Sequence, residues 1–392
     1  MIPRTLFAPE HDLFRDQVRR FIANEITPHH AGWEKDGIVP RSAWLKAGAA
    51  GLLCTEVPEE YGGGGGDFLF GAIMIEEMAR AGATGPTFYL HSDIVAPYLV
   101  HYGTEAQKRR WLPPMATGEA IVALGMTEPS GGSDVQAMRT TAIRDGDDYV
   151  INGQKVFITA GFNADLVVLA CKTDPKARAR GVSLILVETD RPGFQRGRML
   201  EKIGCKAQDT AELFFTDLRV PAANLLGEEG RGFYHLMKEL AQERLVQSIR
   251  AIASSEAALD WTLDYTQQRK MFGQTLADFQ NTQFKLAEMK ADLTMQRVFV
   301  DRCIELHLKG ALDAVDAAMC KLVSTELQGR VMDQCLQFFG GWGYMWEYPI
   351  ARAFVDARLG RIGGGSVEVM KQIIARSMMP ANKPVDSGRS AG

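Results

Sequence analysis

Several familiar devices are missing from this chain, and each absence excludes something. There is no CxxC pair and no HExxH, and the six cysteines at 54, 171, 205, 303, 320 and 335 are scattered, the usage of reduced thiols in a cytoplasmic protein. Of seven histidines only His29 and His30 adjoin, so no metal site is expected. GxGxxG and GxxxxGK are both absent, which removes the Rossmann and P-loop ways of holding a nucleotide. No apolar run reaches the roughly 20 residues that span a bilayer, so no membrane insertion is expected. The N-terminal MIPRTLFAPEHDLFRDQVRRF is charged early and contains acidic residues, so neither a secretory nor a transit peptide is expected. A net charge of −4 gives no reason to expect nucleic acid as a partner.

What is present is the composition of a globular protein, 46% hydrophobic and 23% charged. A length of 392 residues exceeds one ordinary core and predicts two or three domains. Residues 1–120 read as helices, with Phe7, Phe14, Val18, Phe21 and Ile22 at helical spacing and Pro28 near the stop. Asp67 to Ala81 reads as an amphipathic helix and Gly103 to Lys108 as a helix start. Gly62 to Gly66 reads as a loop, because a glycine run maximises the ordering cost. Residues 121–229 change period to that of short strands, and Asn152-Gly153 between two apolar runs predicts a type I′ hairpin. Residues 230–392 return to helices near 233–268, 278–309, 313–338 and 365–378, with a bundle's 3.6 period. The expected fold is mainly α with a central β domain: an N-terminal helical domain, a small β-barrel or sandwich, and a C-terminal four-helix bundle.

Three stretches carry chemistry. Gln337 to Glu368 holds two glycine clusters around Trp342, Tyr344, Trp346 and Tyr348. Glycine pairs let backbone approach a flat ligand, although interhelix turns are the plainer reading. Leu124-Gly-Met-Thr-Glu-Pro-Ser-Gly-Gly-Ser-Asp134 sets glycines among hydroxyls, a pattern that presents several N–H groups to an anion or a heterocycle edge, or simply makes a surface turn. Tyr265-x-x-x-Arg269-x-x-Phe272-Gly273 followed by Gln280 offers a guanidinium for phosphate, or a helix end with its glycine stop.

Taken together, Met126-Thr-Glu-Pro, Asn152-Gly-x-Lys-x-Phe-Ile-Thr159, Arg269-x-x-Phe-Gly, Gln337-x-x-Gly-Gly-x-Gly-Tyr344 and Asp356-Ala-Arg resemble the acyl-CoA dehydrogenases, from about Phe14 to Ser377. The resemblance implies FAD. Leu124, Met126, Thr127, Gly132, Ser133, Phe157, Ile158 and Thr159 would hold the isoalloxazine, with Phe157 where the family usually has tryptophan. Arg269, Phe272, Gln280, Gln337, Gly340 and Gly341 would serve the FAD of a neighbouring subunit, hence a homotetramer, and Ser366 and Glu368 the subunit's own. Ser133, Tyr234, Ala241, Gln242, Arg244, Gly364 and Gly365 would contact the acyl-CoA substrate, with electron-transfer flavoprotein taking the electrons. Glu128 reads as a structural carboxylate of its turn.

One departure matters. Most of the family follows its Arg-Ile pair with Tyr-Glu-Gly-Thr, whose glutamate is the base; here Arg361-Ile362 precedes Gly363-Gly364-Gly365-Ser366. Lys238-Glu-Leu-Ala-Gln-Glu243-Arg-Leu is similar to the long-chain branch, which carries its base on this helix, and Leu236 and Leu240 place Glu243 over an apolar stripe. Glu243 is therefore the expected catalytic base, although Glu beside Arg on a helix is ordinarily a solvated pair. Ala241, where that branch has proline, and Ser366-Val367, where it has Thr-Asn, are departures. The expected reaction is α,β-dehydrogenation of a medium-, long- or branched-chain acyl-CoA. An oxygen-using flavin oxidase and a non-catalytic acyl-CoA-binding relative are the alternatives.

Overall fold

The computed structural model describes residues 2–379; the expected C-terminal segment continues to 392, and residues 380–392 lie outside the described residues. The first helices are α1 (Pro9–Phe21), α2 (Thr27–Asp36), α3 (Arg41–Ala49), α4 (Phe68–Arg80), α5 (Ala96–Tyr102) and α6 (Glu105–Ala116). Their starts obey capping chemistry. The Asp67 carboxylate accepts from Leu69 N–H at 2.9 Å, and Thr104 and Gln107 form a reciprocal capping box. Pro28 does not stop a helix as expected. It stands in the first turn of α2, where its missing N–H is not needed, and a π-turn over Ile22–Ile26 joins α1 to it.

Helix α4 is not amphipathic, contrary to expectation: none of its residues is exposed. Its Glu76 and Glu77 are buried because arginines come to them. Arg4 and Arg297 reach Glu76, and Arg15 and Arg19 reach Glu77. Burial alone would raise the Glu76 pKa, but the Arg297 and Arg4 charges hold it at about 2.

The middle region contains β1 (Val122–Gly125), β2 (Thr141–Asp145), β3 (Asp148–Thr159), β4 (Leu166–Lys172), β5 (Val182–Glu188), β6 (Phe194–Met199), β7 (Thr210–Pro221) and β8 (Leu225–Leu226). One half runs β6-β7-β3-β2 and the other β1-β4-β5-β8, joined where Thr141 of β2 pairs with Lys172 of β4. Side chains from both halves meet in one core, including Ile151, Val167, Leu169, Ile185 and Leu213, which makes the domain a sandwich. Strands β4 and β5 are buried on both faces. Val167, Leu169 and Cys171 enter the sandwich, while Leu166, Val168 and Ala170 enter the core shared with the helices. That double burial explains their unbroken apolar runs.

Asn152-Gly153 is not a hairpin turn. The β2–β3 turn lies at Gly146-Asp147, with Gly146 at φ +61° and Asp145 paired with Asp148. Asn152-Gly153 sits inside β3, where the register with β7 slips between Ile151 and Gly153. It is a bulge, and glycine is required because a Cβ at φ +147° would lie 2.6 Å from Thr140 Oγ1.

The last region is α7 (Gly232–Gln268), a short hairpin of β9 (Lys270–Met271) and β10 (Gln274–Thr275), α8 (Gln280–Leu308), α9 (Ala314–Phe339), α10 (Pro349–Ala357) and α11 (Val367–Met378). Helix α7 packs on α4, α8 and α9, and α10 and α11 pack on α9. The largest core, with Tyr98, Val168, Leu236, Ile249 and Val300, draws on all three regions.

Gly153→Val is expected to cost about 1–3 kcal/mol by overpacking and to lower the thermal midpoint by several degrees. An unchanged midpoint in calorimetry would remove the bulge constraint.

Candidate functional site

Long helix α7 brings two carboxylates to one face, one turn apart, and treats them oppositely. Glu239 and Glu243 are both 5% exposed. Burial opposes charge on Glu239, but His101 Nδ1 at 3.0 Å and the Tyr102 hydroxyl, donating at 2.6 Å, hold it below the usual glutamate range. Glu243 has a single neutral donor, the Tyr98 hydroxyl at 2.9 Å. Burial, with a smaller push from the Glu239 charge, raises its pKa to about 7 against the Tyr98 bond and the Arg244 charge. A carboxyl poised near neutrality can take a proton from carbon; one held ionised by two donors is a poorer base.

The neighbours of Glu243 have separate roles. Gln242 donates one N–H to the Asp93 carbonyl at 2.9 Å and so ties α7 to the π-turn over Leu90–Val95 that precedes α5. The Arg244 guanidinium donates to the Ala314 carbonyl at 3.4 Å, and its buried Nε has no partner. Tyr234, nine residues before Glu243, is exposed, and Ala241 is half-buried.

Opposite α7 stands the glycine turn that precedes α11. Gly364 and Gly365 have φ of +65° and +91°, left-handed values that favour glycine. A Cβ on Gly364 would meet only Gln247 Cγ, at 3.6 Å, and Gln247 is one turn beyond Glu243 on the same stripe. The missing side chain therefore leaves room in front of α7. The Gly365 carbonyl accepts from Lys321 Nζ of α9, an amine that burial and the nearby Arg244 charge lower to about 8. Ser366 caps α11 by accepting from Val369 N–H at 3.4 Å, and Glu368 is exposed in its first turn.

A second group lies on the sandwich. The 124–134 turn is held by Glu128, which accepts from Arg139 N–H at 2.6 Å, Thr140 N–H at 3.0 Å and buried Lys155 Nζ at 2.8 Å. That is a structural role. Lys155 also donates to the Met126 carbonyl at 2.9 Å, and Val156 N–H to that of Thr127 at 3.0 Å. Gly132 and Ser133 are exposed, and Leu124 and Met126 half-buried. Phe157 is a non-glycine residue at φ +60° whose side chain is 66% exposed. Backbone strain that turns an aromatic toward solvent suits a flat ligand. Ile158 points into the sandwich core, so only its backbone faces that ligand side. Thr159 Oγ1 accepts from Gln208 Nε2 at 3.2 Å, while Gln208 Oε1 and Thr210 Oγ1 are buried without partners.

A third group lies at the far end of α7. Arg269, Gln337, Gly340 and Gly341 line a cleft of about 630 Å³ with Tyr265 and Lys285. Phe272 is 90% exposed and Gln280 begins α8 beside this cleft. The exposed aromatic, the unpaired polar atoms beside Thr159 and a cleft with a free guanidinium fit FAD: a ring, a heteroatom edge and a phosphate-bearing tail. Tyr98, Lys155, Gln208 and Lys321 are residues to which sequence reasoning gave no role; Lys155 lies inside the Asn152–Thr159 motif, but only the reach of these side chains in the fold connects them to the site.

A β-sandwich with a strained, exposed aromatic, set between helical regions that bury a near-neutral carboxylate, fits an oxidoreductase that uses a flat cofactor. Models of the N-terminal, middle and C-terminal domains of acyl-CoA dehydrogenase match residues 8–119, 123–218 and 230–379. The chain belongs to the acyl-CoA dehydrogenase family. It is 52% identical to the mitochondrial long-chain specific acyl-CoA dehydrogenase of Sus scrofa, covering 96% of this chain and 88% of that one. A crystal structure of acyl-CoA dehydrogenase from Geobacillus kaustophilus superposes with a TM-score of 0.95 at 49% identity, over 96% of this chain and all of that one. One from Bacillus anthracis complexed with FAD gives 0.89 at 31% identity, over 95% and 67%. Among the described residues no helix is long and apolar enough to cross a membrane, and no cluster of metal-ligating side chains occurs.

Because Glu243 is raised to about 7, kcat/KM for acyl-CoA should rise with pH through about that value as the carboxyl ionises. Tyr98→Phe removes the donor that favours the ionised form, so this limb should move upward by about one pH unit. A limb that stays in place would separate Tyr98 from the titrating group.

Proposed function

We propose that the chain catalyses α,β-dehydrogenation of an acyl-CoA of medium, long or branched chain, with Glu243 as the α-proton base and FAD as cofactor. The observation that carries the reading is a carboxyl buried on α7, poised near neutral pH, across from a turn whose Gly364 leaves space toward that helix. When bound, FAD supplies a two-electron acceptor for the β-hydrogen. The rest is the work of side chains and backbone.

Glu243 takes the α-proton in a site closed to water, where the thioester's weak acidity demands a desolvated base. The Gly364 N–H, which makes no hydrogen bond within the described protein, is available to the thioester oxygen as charge gathers there. Leu124, Met126, Thr127, Gly132, Ser133, Phe157, Ile158 and Thr159 hold the ring end of FAD, Ser133 also facing the acyl-CoA. Tyr234, Ala241 and Arg244 border the substrate along α7, Gly364 and Gly365 from the opposite side. Gln242 also borders the substrate, its side chain anchored by one N–H to the Asp93 carbonyl.

Arg269 lies 26 residues beyond Glu243, at the other end of α7, which is about 39 Å along the axis. That separation supports a shared cofactor: Arg269, Phe272, Gln280, Gln337, Gly340 and Gly341 serve a neighbour, Ser366 and Glu368 the subunit's own FAD. The assembly is then a homotetramer, a dimer of dimers. Electrons pass to an electron-transfer flavoprotein. Six buried, unpaired cysteines suit a reducing cytoplasm.

Glu243→Gln should bind FAD and ligand yet slow flavin reduction by acyl-CoA more than about 10⁴-fold in stopped flow. Adding Gly364→Glu should recover part of the rate. Near-normal reduction in the single variant would defeat the assignment. Arg269→Ala should lose flavin on gel filtration through loss of a phosphate contact, while light scattering of the wild type should give a tetramer. A flavin-loaded monomer at micromolar concentration would rule out the shared site.

A further inference from the structure

Beyond Glu243 the same face of α7 borders a cavity of about 180 Å³, enclosed also by α2, α4, the segment after α4, and α10. Gln247, Arg250 and Ser254 line it from α7, at helical spacing continuous with the glutamate. Gly364 faces Gln247, so the cavity opens beside the place where an acyl chain would leave the reacting carbons. Met74, Met78, Phe88 and Met332 supply apolar wall for such a chain.

The cavity is not apolar throughout. Arg250 Nη1 donates to the Tyr89 hydroxyl at 2.8 Å and to Gln247 Oε1 at 3.3 Å, and its guanidinium lies 4.2 Å over the Tyr89 ring. Its Nε and Nη2 have no partner, and no carboxylate forms an ion pair with it among the described residues. Asp356 lines the same cavity but is engaged by Thr84 Oγ1 and Cys205 N–H. Arg352, also on the wall, donates to the Trp346 carbonyl. A saturated hydrocarbon laid here would cover donors that nothing else satisfies, which is unfavourable for buried polar groups.

We propose that Arg250, with Gln247 and Tyr89, selects acyl-CoA chains that carry a hydrogen-bond-accepting oxygen, hydroxyl or carboxylate, about 10 Å beyond the α-carbon, the rise of two turns of α7 from Glu243 to Arg250. This rests on the dehydrogenase reading and narrows its substrate class. A site built to bond such a group rejects the chain that lacks it, because its own donors are then left unpaired.

The test compares octanoyl- and dodecanoyl-CoA with their ω-hydroxy and ω-carboxy counterparts. The readouts are flavin reduction by the wild-type holoenzyme and calorimetric binding to Glu243→Gln, which reports affinity without turnover. At one chain length or both, an oxygenated chain should exceed its plain counterpart at least tenfold in kcat/KM and in affinity. The ω-hydroxy and ω-carboxy arms separate a neutral acceptor from an anion. Arg250→Leu should reverse the ratio, favouring the plain chain, while Arg250→Lys should keep part of the preference. Wild-type preference for plain chains at both lengths, or a ratio unmoved by Arg250→Leu, would overturn the proposal and leave the dehydrogenase reading intact. Absence of reduction by every acyl-CoA would overturn both.

Discussion

A carboxyl withdrawn from water, with one neutral hydroxyl for company, is the condition on which the site depends. Moving Glu243 from 4.5 to about 7 corresponds to roughly 3 kcal/mol against its ionised form. That penalty is what suits it to the proposed role of a base rather than a surface charge. Glu239, four residues earlier, shows the alternative outcome. With His101 and Tyr102 bonded to it, a carboxylate equally buried stays ionised. The difference lies in the donors that the neighbouring helices bring, not in the helix that bears both.

Keeping Glu243 dry demands that three regions close over α7. The N-terminal helices do so through Tyr98 and the Gln242–Asp93 bond. The sandwich does so with the outer faces of β4 and β5, whose Leu166, Val168, Leu184 and Leu186 share a core with Leu245 and Ile249. The bundle holds the glycine turn through Lys321. Glu76, buried among Arg4, Arg15 and Arg297, ties the chain's first residues and α8 to α4. A buried carboxylate with several arginines is costly to break, because removing one partner strands a charge.

Much of this was legible in the residues. The long helical periods of α7, α8 and α9 and the helix start within Gly103 to Lys108 stand close to where the pattern put them, and the helical–β–helical order holds. Asn152-Gly153 misled because local turn chemistry cannot tell a hairpin from a bulge; the deciding contact, Thr140, sits on the adjoining chain path. Helix α4 misled because Glu76 and Glu77 imply water unless the arginines that neutralise them from afar are known. For the proposed site, Glu243 stands out in the sequence through its motif and its apolar stripe, but its hydrogen-bond donor does not. Tyr98 is 145 residues away, within an apolar segment that reads as plain core. The same holds for Arg250, an ordinary helical arginine until the cavity beside it is seen.

The proposed proton removal by Glu243 can be measured apart from oxidation. A 3-thiaacyl-CoA has an acidic α-position and no β-hydrogen to give up, so its α-hydrogens exchange with solvent deuterium only if a base reaches them. Mass spectrometry of the ligand after incubation with enzyme in heavy water should show rapid exchange with the wild type and none above background with Glu243→Gln, both proteins binding the ligand equally. Exchange at the wild-type rate in the variant would contradict the account at its centre.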